Sequence, residues 1–333
     1  MYTIGIDVGG TNLKAGLVNE RYELAASRKI PLVWESPEKL AADLMGLALS
    51  LAEENGVSRE EIRSIGMGVP GMVDAKQGVI RRTVNIPIQN VPIAQLMGRH
   101  WDIPVYLGND ADCAALGEYY HLGADQTESL VLVTLGTGVG TGIILDGRIL
   151  RGVNGCGGEG GHMVIVPGGV PCTCGRRGCW ERYASATGLI RLTRGAMERD
   201  RASLVWQLAE GDPARVDGRT AFAAARKGDR TGKAVVDQYV DYLAEGICNL
   251  VNLLQPAVIC IGGGISNEED AWLLHPLQQR VRAWRYDQLA DRHTVIVKAQ
   301  LGNDAGIIGA AVLGRALCGA GKGGGGGPVV GAL

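Results

Sequence analysis

A single phenylalanine, Phe222, stands in a chain of 333 residues that carries 51 glycines. That imbalance points to many tight turns and close backbone approaches, as α/β proteins that cradle phosphates require. Charge of one sign is also lacking. With 33 basic against 35 acidic residues the net charge is −2, which argues against a non-specific nucleic-acid binder. Met1 leads straight into an apolar strand pattern with no basic stretch, apolar core or small-residue cleavage site, so a secreted protein is not expected and a cytoplasmic one is. The longest uncharged stretch, Gly246 to Asn267, reaches the ~20 residues of a bilayer span. It is interrupted by Asn249, Asn252, Gln255, Pro256 and Gly262-Gly263-Gly264, and reads better as a helix, a turn and a buried strand, so no membrane partner is expected. No G-x-x-x-x-G-K-S/T sequence occurs, which closes the P-loop route to nucleotide binding.

What is present repeats. An apolar strand (Tyr2 to Ile6), a polar glycine turn, a second strand (Leu13 to Val18) and a third open the chain. The plan recurs at 129–151, with strand Leu130 to Leu135, turn Gly136-Thr137-Gly138-Val139-Gly140, strand Thr141 to Leu145, and an Asp146-Gly147 hairpin signal leading into Arg148 to Leu150. Two such units imply two related α/β domains. Helical periodicity follows the first (Leu40, Leu44, Leu47 and Leu51 within Pro37 to Asn55), then strand Ile62 to Val69 and a Pro70-Gly71 turn. Strand Val105 to Leu107 ends at Gly108-Asn109-Asp110. Lys233 to Leu254 reads as a long helix stopped by Pro256, and Ala257 to Ile261 as a buried strand running into the glycines. Polar and glycine residues recur where strands end, the place where open α/β sheets bind ligands. Two copies facing each other would form a cleft.

Asp7-Val8-Gly9-Gly10-Thr11-Asn12-Leu13-Lys14 can present backbone N–H groups to phosphate, with Thr11 and Lys14 as added donors. Asp7 at the strand end could hold Mg²⁺ through water. A plain glycine hairpin is the bland alternative; the second copy at Gly136 to Gly140 and the glycines at 263 and 264 favour a nucleotide site. A G-x-G-x-x-G match at Gly155, Gly157 and Gly160 opens no helix within a βαβ unit, and Glu159 would oppose a pyrophosphate, so it is set aside as a decoy.

Eight cysteines in a chain without an export signal suggest free thiols or metal ligands. Cys113, Cys156, Cys248, Cys260 and Cys318 are scattered and read as small core residues. His162, Cys172, Cys174 and Cys179 instead gather one imidazole and three thiolates within eighteen residues. That set satisfies tetrahedral Zn²⁺ completely, so the metal is structural. Three unrelated thiols near a surface histidine is the weaker alternative.

Asp110, at a strand end, could accept the proton of an attacking hydroxyl, and Asn109 could hold a neighbouring one. The alternative is that Asp110 merely caps a helix beginning near Asp112. Glu159, His162 and Glu181 bracket the cysteine cluster, and polar side chains on an anchored loop suit a polyhydroxyl ligand. If zinc takes one nitrogen of His162, the other can donate to a sugar oxygen. Singly, Glu159 reads as a solvated loop charge and Glu181 as an exposed helix start.

These residues resemble the ROK family of sugar kinases and repressors, within the actin, Hsp70 and hexokinase superfamily. The match runs from Tyr2 to about Leu317. Its most specific parts are Gly158-Glu159-Gly160-Gly161-His162 and Cys172-Thr173-Cys174-Gly175-Arg176-Arg177-Gly178-Cys179-Trp180-Glu181, which look like the family signature and zinc loop. The turn at Asp7 to Thr11, Pro70-Gly71, Asn85-Ile86-Pro87, Gly108-Asn109-Asp110-Ala111 and Gly262-Gly263-Gly264 follow in the family's order.

The resemblance implies two actin-like (ribonuclease H-like) domains with mixed sheets flanked by helices and a ligand cleft between them. Residues 1–112, completed by 304–318, would form the first and 113–303 the second, with a zinc loop at 162–179 and a flexible glycine-rich tail at 319–333. It further implies ATP and Mg²⁺ at Asp7, Gly9, Gly10, Thr11, Asn12, Lys14 and the second glycine turn, Asp110 as base, and the sugar on Gly71, Asn85, Asn109, Glu159, His162 and Glu181. A homodimer is a further expectation from the family. Tyr183-Ala184-Ser185-Ala186-Thr187-Gly188 looks like the glucokinase branch, hence glucose phosphorylated at its 6-hydroxyl. Kinases for N-acetylmannosamine, fructose, allose or mannose are the alternatives, as are a catalytically silent zinc protein and a sugar-sensing repressor. The repressor is disfavoured because little chain precedes Asp7 for a helix-turn-helix domain. Gly160 departs from the family, which often has an apolar residue there, and could alter the stiffness of the loop; the glycine-rich end is the other departure.

Overall fold

The computed structural model describes residues 1–83, 86–124 and 126–318, with residues 317 and 318 by backbone alone. Asn85 and the 319–333 tail, both singled out above, lie outside the described residues.

Strands β1 (Tyr2–Val8), β2 (Asn12–Asn19), β3 (Leu24–Pro31) and β4 (Ile62–Val69) are followed by the short strands β5 (Gly71–Asp74), β6 (Val79–Thr83) and β7 (Gln89–Val91), then by β8 (Val105–Asn109). After them come β9 (Ser129–Leu135), β10 (Val139–Leu145), β11 (Arg148–Ile149), β12 (Val258–Gly262) and β13 (Val295–Lys298). They build two five-stranded sheets of order β3-β2-β1-β4-β8 and β11-β10-β9-β12-β13, and a three-stranded sheet β5-β6-β7. In the first large sheet β1 pairs antiparallel with β2 and parallel with β4; in the second β9 pairs antiparallel with β10 and parallel with β12. Both sheets are therefore mixed, with helices supplying the parallel crossovers.

The chain divides into two compact units, one of residues 1–110, 147–149 and 307 onward, the other of 111–146 and 150–306. In the first, helix Pro37–Glu54 starts where Ser36 accepts the N–H of Lys39 and Pro37 presets the first turn. Its stripe Leu40, Leu44, Leu47 and Leu51 is buried, in one cluster with Ile4 and Ile6 of β1. The other side of the same sheet meets helical residues 307–311 at two glycines. A Cβ on Gly5 would fall 1.9 Å from the Ile307 carbonyl oxygen, and one on Gly66 1.7 Å from that of Ala310. Only glycine admits a helix backbone that close. The central strands are thus covered on both faces, as parallel pairing requires.

In the second unit, helix Arg230–Leu254 is the spine of the core, with Tyr239, Leu243, Ala244 and Ile247 fully buried. Asp229 caps it by accepting the N–H of Gly232 at 2.7 Å, and Gln255 ends it in the left-handed region (φ 44°) just before Pro256. The uncharged stretch from Gly246 is accordingly the end of this helix, a turn and β12. Among the described residues, no helix is long and apolar enough to cross a membrane.

Two strands run further than their apolar runs predict. β1 continues through Asp7 and Val8 because these pair with Lys14 and Leu13. β8 continues through Gly108 and Asn109, paired with Gly68 and Val69, and the next helix then opens at Asp110 rather than near Asp112. Cys113, Cys248 and Cys260 are buried as expected, but Cys156 is half-exposed in the turns before Glu159, and the side chain of Cys318 lies outside what the structure describes.

Candidate active site

In the first unit the sheet sets the site by its register. Asp7 on β1 lies level with Gly68 on β4, and Gly68 with Gly108 on β8. With strands about 4.8 Å apart, Asp7 and Gly108 are separated by about 10 Å across one edge of the sheet. The first glycine turn leaves that edge, closed by Gly9 N–H donating to the Asn12 carbonyl at 2.9 Å, with Gly10 and Thr11 exposed. Asn109 donates through Nδ2 to the Gly71 carbonyl at 3.1 Å, so two of the sugar candidates sit together, and Asp110 follows as an exposed residue at the start of helix Asp110–His121. Gly71 has φ 128°, and a Cβ there would stand 2.3 Å from the Arg82 carbonyl oxygen.

Burial raises the Asp7 carboxyl above its ordinary range, while Lys14 opposite it pulls the value back down. A carboxyl protonated more readily in the fold than in the unfolded chain costs stability once ionised. That cost is present at neutral pH and fades as the pH falls through the raised value toward 3.8, its ordinary one. Asp7→Asn is therefore expected to raise the melting temperature at pH 7, with the gain shrinking in acid, while turnover falls. Melting curves across this pH range with parallel rate measurements check it; a lower melting temperature at pH 7 would contradict the assignment.

In the second unit two glycine turns lie side by side. β9 ends in Leu135 and the Gly136 turn, β12 in Gly262, and the two strands are parallel with Thr134 level with Gly262. Gly263 takes φ 84° against the Leu135 backbone, with Cβ space of only 2.6 Å, whereas Gly264 faces open space. The second turn is braced from below. Ala186 N–H donates to the Gly136 carbonyl at 2.9 Å, and the Thr187 hydroxyl to that of Thr137 at 2.8 Å.

The cysteine loop is a small hairpin, bridged at Val164–Cys179 and Pro171–Arg177. Gly178 (φ 83°) packs with its Cα against the Val166 carbonyl, where a Cβ would come within 1.8 Å. The hairpin is pinned to the core by two aromatics that the sequence shows as parts of longer motifs, without their partners. Trp180 is fully buried, donates its indole N–H to the Tyr242 carbonyl at 2.8 Å, and rests on Gly246. The Tyr183 hydroxyl accepts the Val170 N–H at 2.8 Å.

One donor atom each from His162, Cys172, Cys174 and Cys179 falls within 4.8 Å of all the others. Cys174 Sγ and Cys179 Sγ are 3.6 Å apart, and His162 Nδ1 and Cys172 Sγ 3.7 Å apart. Tetrahedral zinc with bonds of about 2.3 Å to sulfur and 2.0–2.1 Å to nitrogen places such pairs about 3.8 and 3.5 Å apart. The residues fit the ion. Burial pushes the Cys179 thiol up to about 12, whereas the Arg176 backbone N–H holds Cys174 below its ordinary range. A bound cation would stabilise the Cys179 thiolate, with the thiol proton released to solvent.

Glu181 joins these two features. Its Oε2 accepts the Val139 N–H of the second glycine turn at 3.3 Å, and its Oε1 lies 3.7 Å from Cys172 Sγ. A Cβ on Gly138 would meet Oε2 at 2.1 Å, so the turn needs glycine to seat the carboxylate. Glu159 is exposed, and its carbonyl accepts the His162 N–H at 3.0 Å in the short helical turn Gly160–His162. The decoy glycines 155 and 157 lie in turns and open no helix.

Residues 3–316 match the ROK family. A glucokinase of Halalkalibacterium halodurans is 38% identical over 312 residues, 92% of each chain. Two solved structures align over almost the whole chain. A ROK hexokinase from Thermus thermophilus has a TM-score of 0.80 at 34% identity, covering 96% of this chain and 100% of its own. A ROK family glucokinase from Streptomyces griseus, in complex with glucose and AMPPNP, has a TM-score of 0.76 at 30% identity, covering 95% and 99%. A doubled mixed-sheet plan, the glycine turns at its strand ends and this extent of likeness agree, and the chain belongs to the ROK family.

Proposed function

We propose that this protein is an ATP-dependent hexose kinase that phosphorylates glucose at its 6-hydroxyl. The observation that carries the reading is the likeness, over more than nine-tenths of the chain, to glucokinases, one of them seen with glucose and an ATP analogue. In this reading Asp110 accepts the proton of the attacking hydroxyl, and its exposure at the sheet edge suits a group that must reach substrate. Asn109, held against Gly71, orients a neighbouring hydroxyl, and Asn85, Glu159, His162 and Glu181 take others. His162 is fitted to do so because Nδ1 faces the thiols, which leaves Nε2 to donate.

The nucleotide is assigned to Gly9, Gly10, Thr11, Asn12 and Lys14 of the first unit and to the two turns Gly136 to Gly140 and Gly263-Gly264 of the second, whose N–H groups not already bonded within the turn would meet phosphate oxygens. Asp7 would hold Mg²⁺, since a carboxyl kept partly buried gains most from a neighbouring cation; that ion neutralises phosphate charge when bound. His162, Cys172, Cys174 and Cys179 would hold a structural Zn²⁺, which fixes the loop that carries Glu159 and Glu181. A cytoplasmic homodimer completes the proposal.

The test is initial-rate ADP release with glucose, mannose, fructose, allose and N-acetylmannosamine. Glucose is expected to give the highest kcat/KM. Another sugar exceeding it would move the assignment to that sugar, and no ADP release with any would remove the kinase.

A further inference from the structure

Gly160, the residue after Glu159, is buried without a side chain, and something else fills its place. A Cβ there would lie 2.9 Å from Thr141 Oγ1 and 3.1 Å from Thr141 Cγ2, so the threonine side chain occupies the space that a residue at 160 would need. Thr141 sits on β10, paired with Val133 in the middle of the sheet, and is only 7% exposed. Its hydroxyl both donates and accepts. It accepts the Gly160 N–H at 2.7 Å and donates to the Gly158 carbonyl. Gly160 N–H also reaches the Gly158 carbonyl at 2.8 Å, so hydroxyl, amide and carbonyl close a ring over the backbone on either side of Glu159. Gly158 adopts φ 88° to let the chain turn there, and Gly161 presses against the Val139 carbonyl, where a Cβ would come within 2.0 Å. The backbone around Glu159 is thus hung from one strand by one side chain, while Glu159 itself stays exposed.

We infer that Thr141 is a positioning residue that fixes Glu159 for sugar through its hydroxyl, and that it does for this loop what a side chain at position 160 would otherwise do by filling space. The inference rests on the reading above that Glu159 contacts the sugar. A buried hydroxyl that satisfies both a backbone donor and an acceptor cannot be replaced by a methyl group without leaving them short of partners.

The experiment compares Thr141→Val, Thr141→Ser and Glu159→Gln in the full chain. Thr141→Val keeps the shape and removes the hydroxyl; it is expected to raise the sugar KM about five- to tenfold, the size of effect that follows loss of a buried hydrogen bond. The kcat and the ATP KM should stay within about twofold, and Thr141→Ser should restore the sugar KM. Should Thr141→Val fail to fold, Thr141→Ala is read in the same way. If Glu159→Gln raises the sugar KM while Thr141→Val leaves it native, the positioning role is overturned and the sugar contact stands. If Glu159→Gln leaves it native, the contact itself falls and takes the inference with it. A matching rise in the ATP KM, or no recovery in Thr141→Ser, would mark a general loosening of the unit and overturn the role as well.

Discussion

Asp110→Asn is expected to lower turnover about 10²–10⁴-fold, the usual contribution of a positioned base, while the KM for sugar stays within about threefold. The two effects separate for a physical reason. Asparagine is the same size and still accepts a hydrogen bond through its carbonyl oxygen, so a resting hydroxyl is bound nearly as well. It cannot take the proton that the hydroxyl must lose as it attacks phosphorus, so the loss falls on the transition state. Steady-state kinetics on the purified variant decide the matter. Near-native turnover would remove Asp110 from the chemistry and return it to its other reading, a helix-start residue.

Cys179→Ser is expected to abolish stoichiometric zinc and to cost about 100-fold in activity, because a metal would tie together four donor atoms that all lie within 4.8 Å of one another, and Cys179 supplies one of them. Apparent binding energies for such sites run to about 10–16 kcal/mol, more than a small loop can recover by packing. The loss should reach the second glycine turn as well as the loop, since Glu181 contacts Cys172 on one oxygen and the Val139 N–H on the other. Retention of metal should also weaken as pH falls. The Cys179 thiol, pushed up to about 12 by burial, must give up its proton to bind, so acid competes with the ion. Atomic emission for zinc and rates measured after dialysis against a chelator at two pH values check both statements. A variant that keeps full metal and full rate would show that the cluster is not a zinc site.

Much of this was legible in the chain because its signals are local. Glycine turns at the ends of apolar runs pointed to the strands of both large sheets except β13, and the spacing of His162, Cys172, Cys174 and Cys179 pointed to a donor set that the fold brings together. Partnerships over long separations were not legible. Nothing near Val105 says that the strand continues through Asn109; the extension exists because Val69, forty residues earlier, supplies its ladder partner. Trp180 reads only as part of a motif until Gly246 is found beneath its ring, and Gly160 only as a change of loop stiffness until Thr141 is found beside it. The small sheet β5-β6-β7 also went unforeseen, since strands of three to five residues leave too short a pattern to distinguish from turns.

The two five-stranded sheets share one winding, and the shared winding makes positions in them comparable. Asp7 lies one residue before the end of β1, opposite Lys14 and level with Gly68; Thr134 lies one residue before the end of β9, opposite Gly140 and level with Gly262. At equivalent points of the same scaffold, one half thus offers an anion faced by a lysine and the other a neutral hydroxyl faced by a glycine. The repeat is therefore one of backbone wiring and not of side chains: the two sheets share strand order and register, and differ in charge at the matched position.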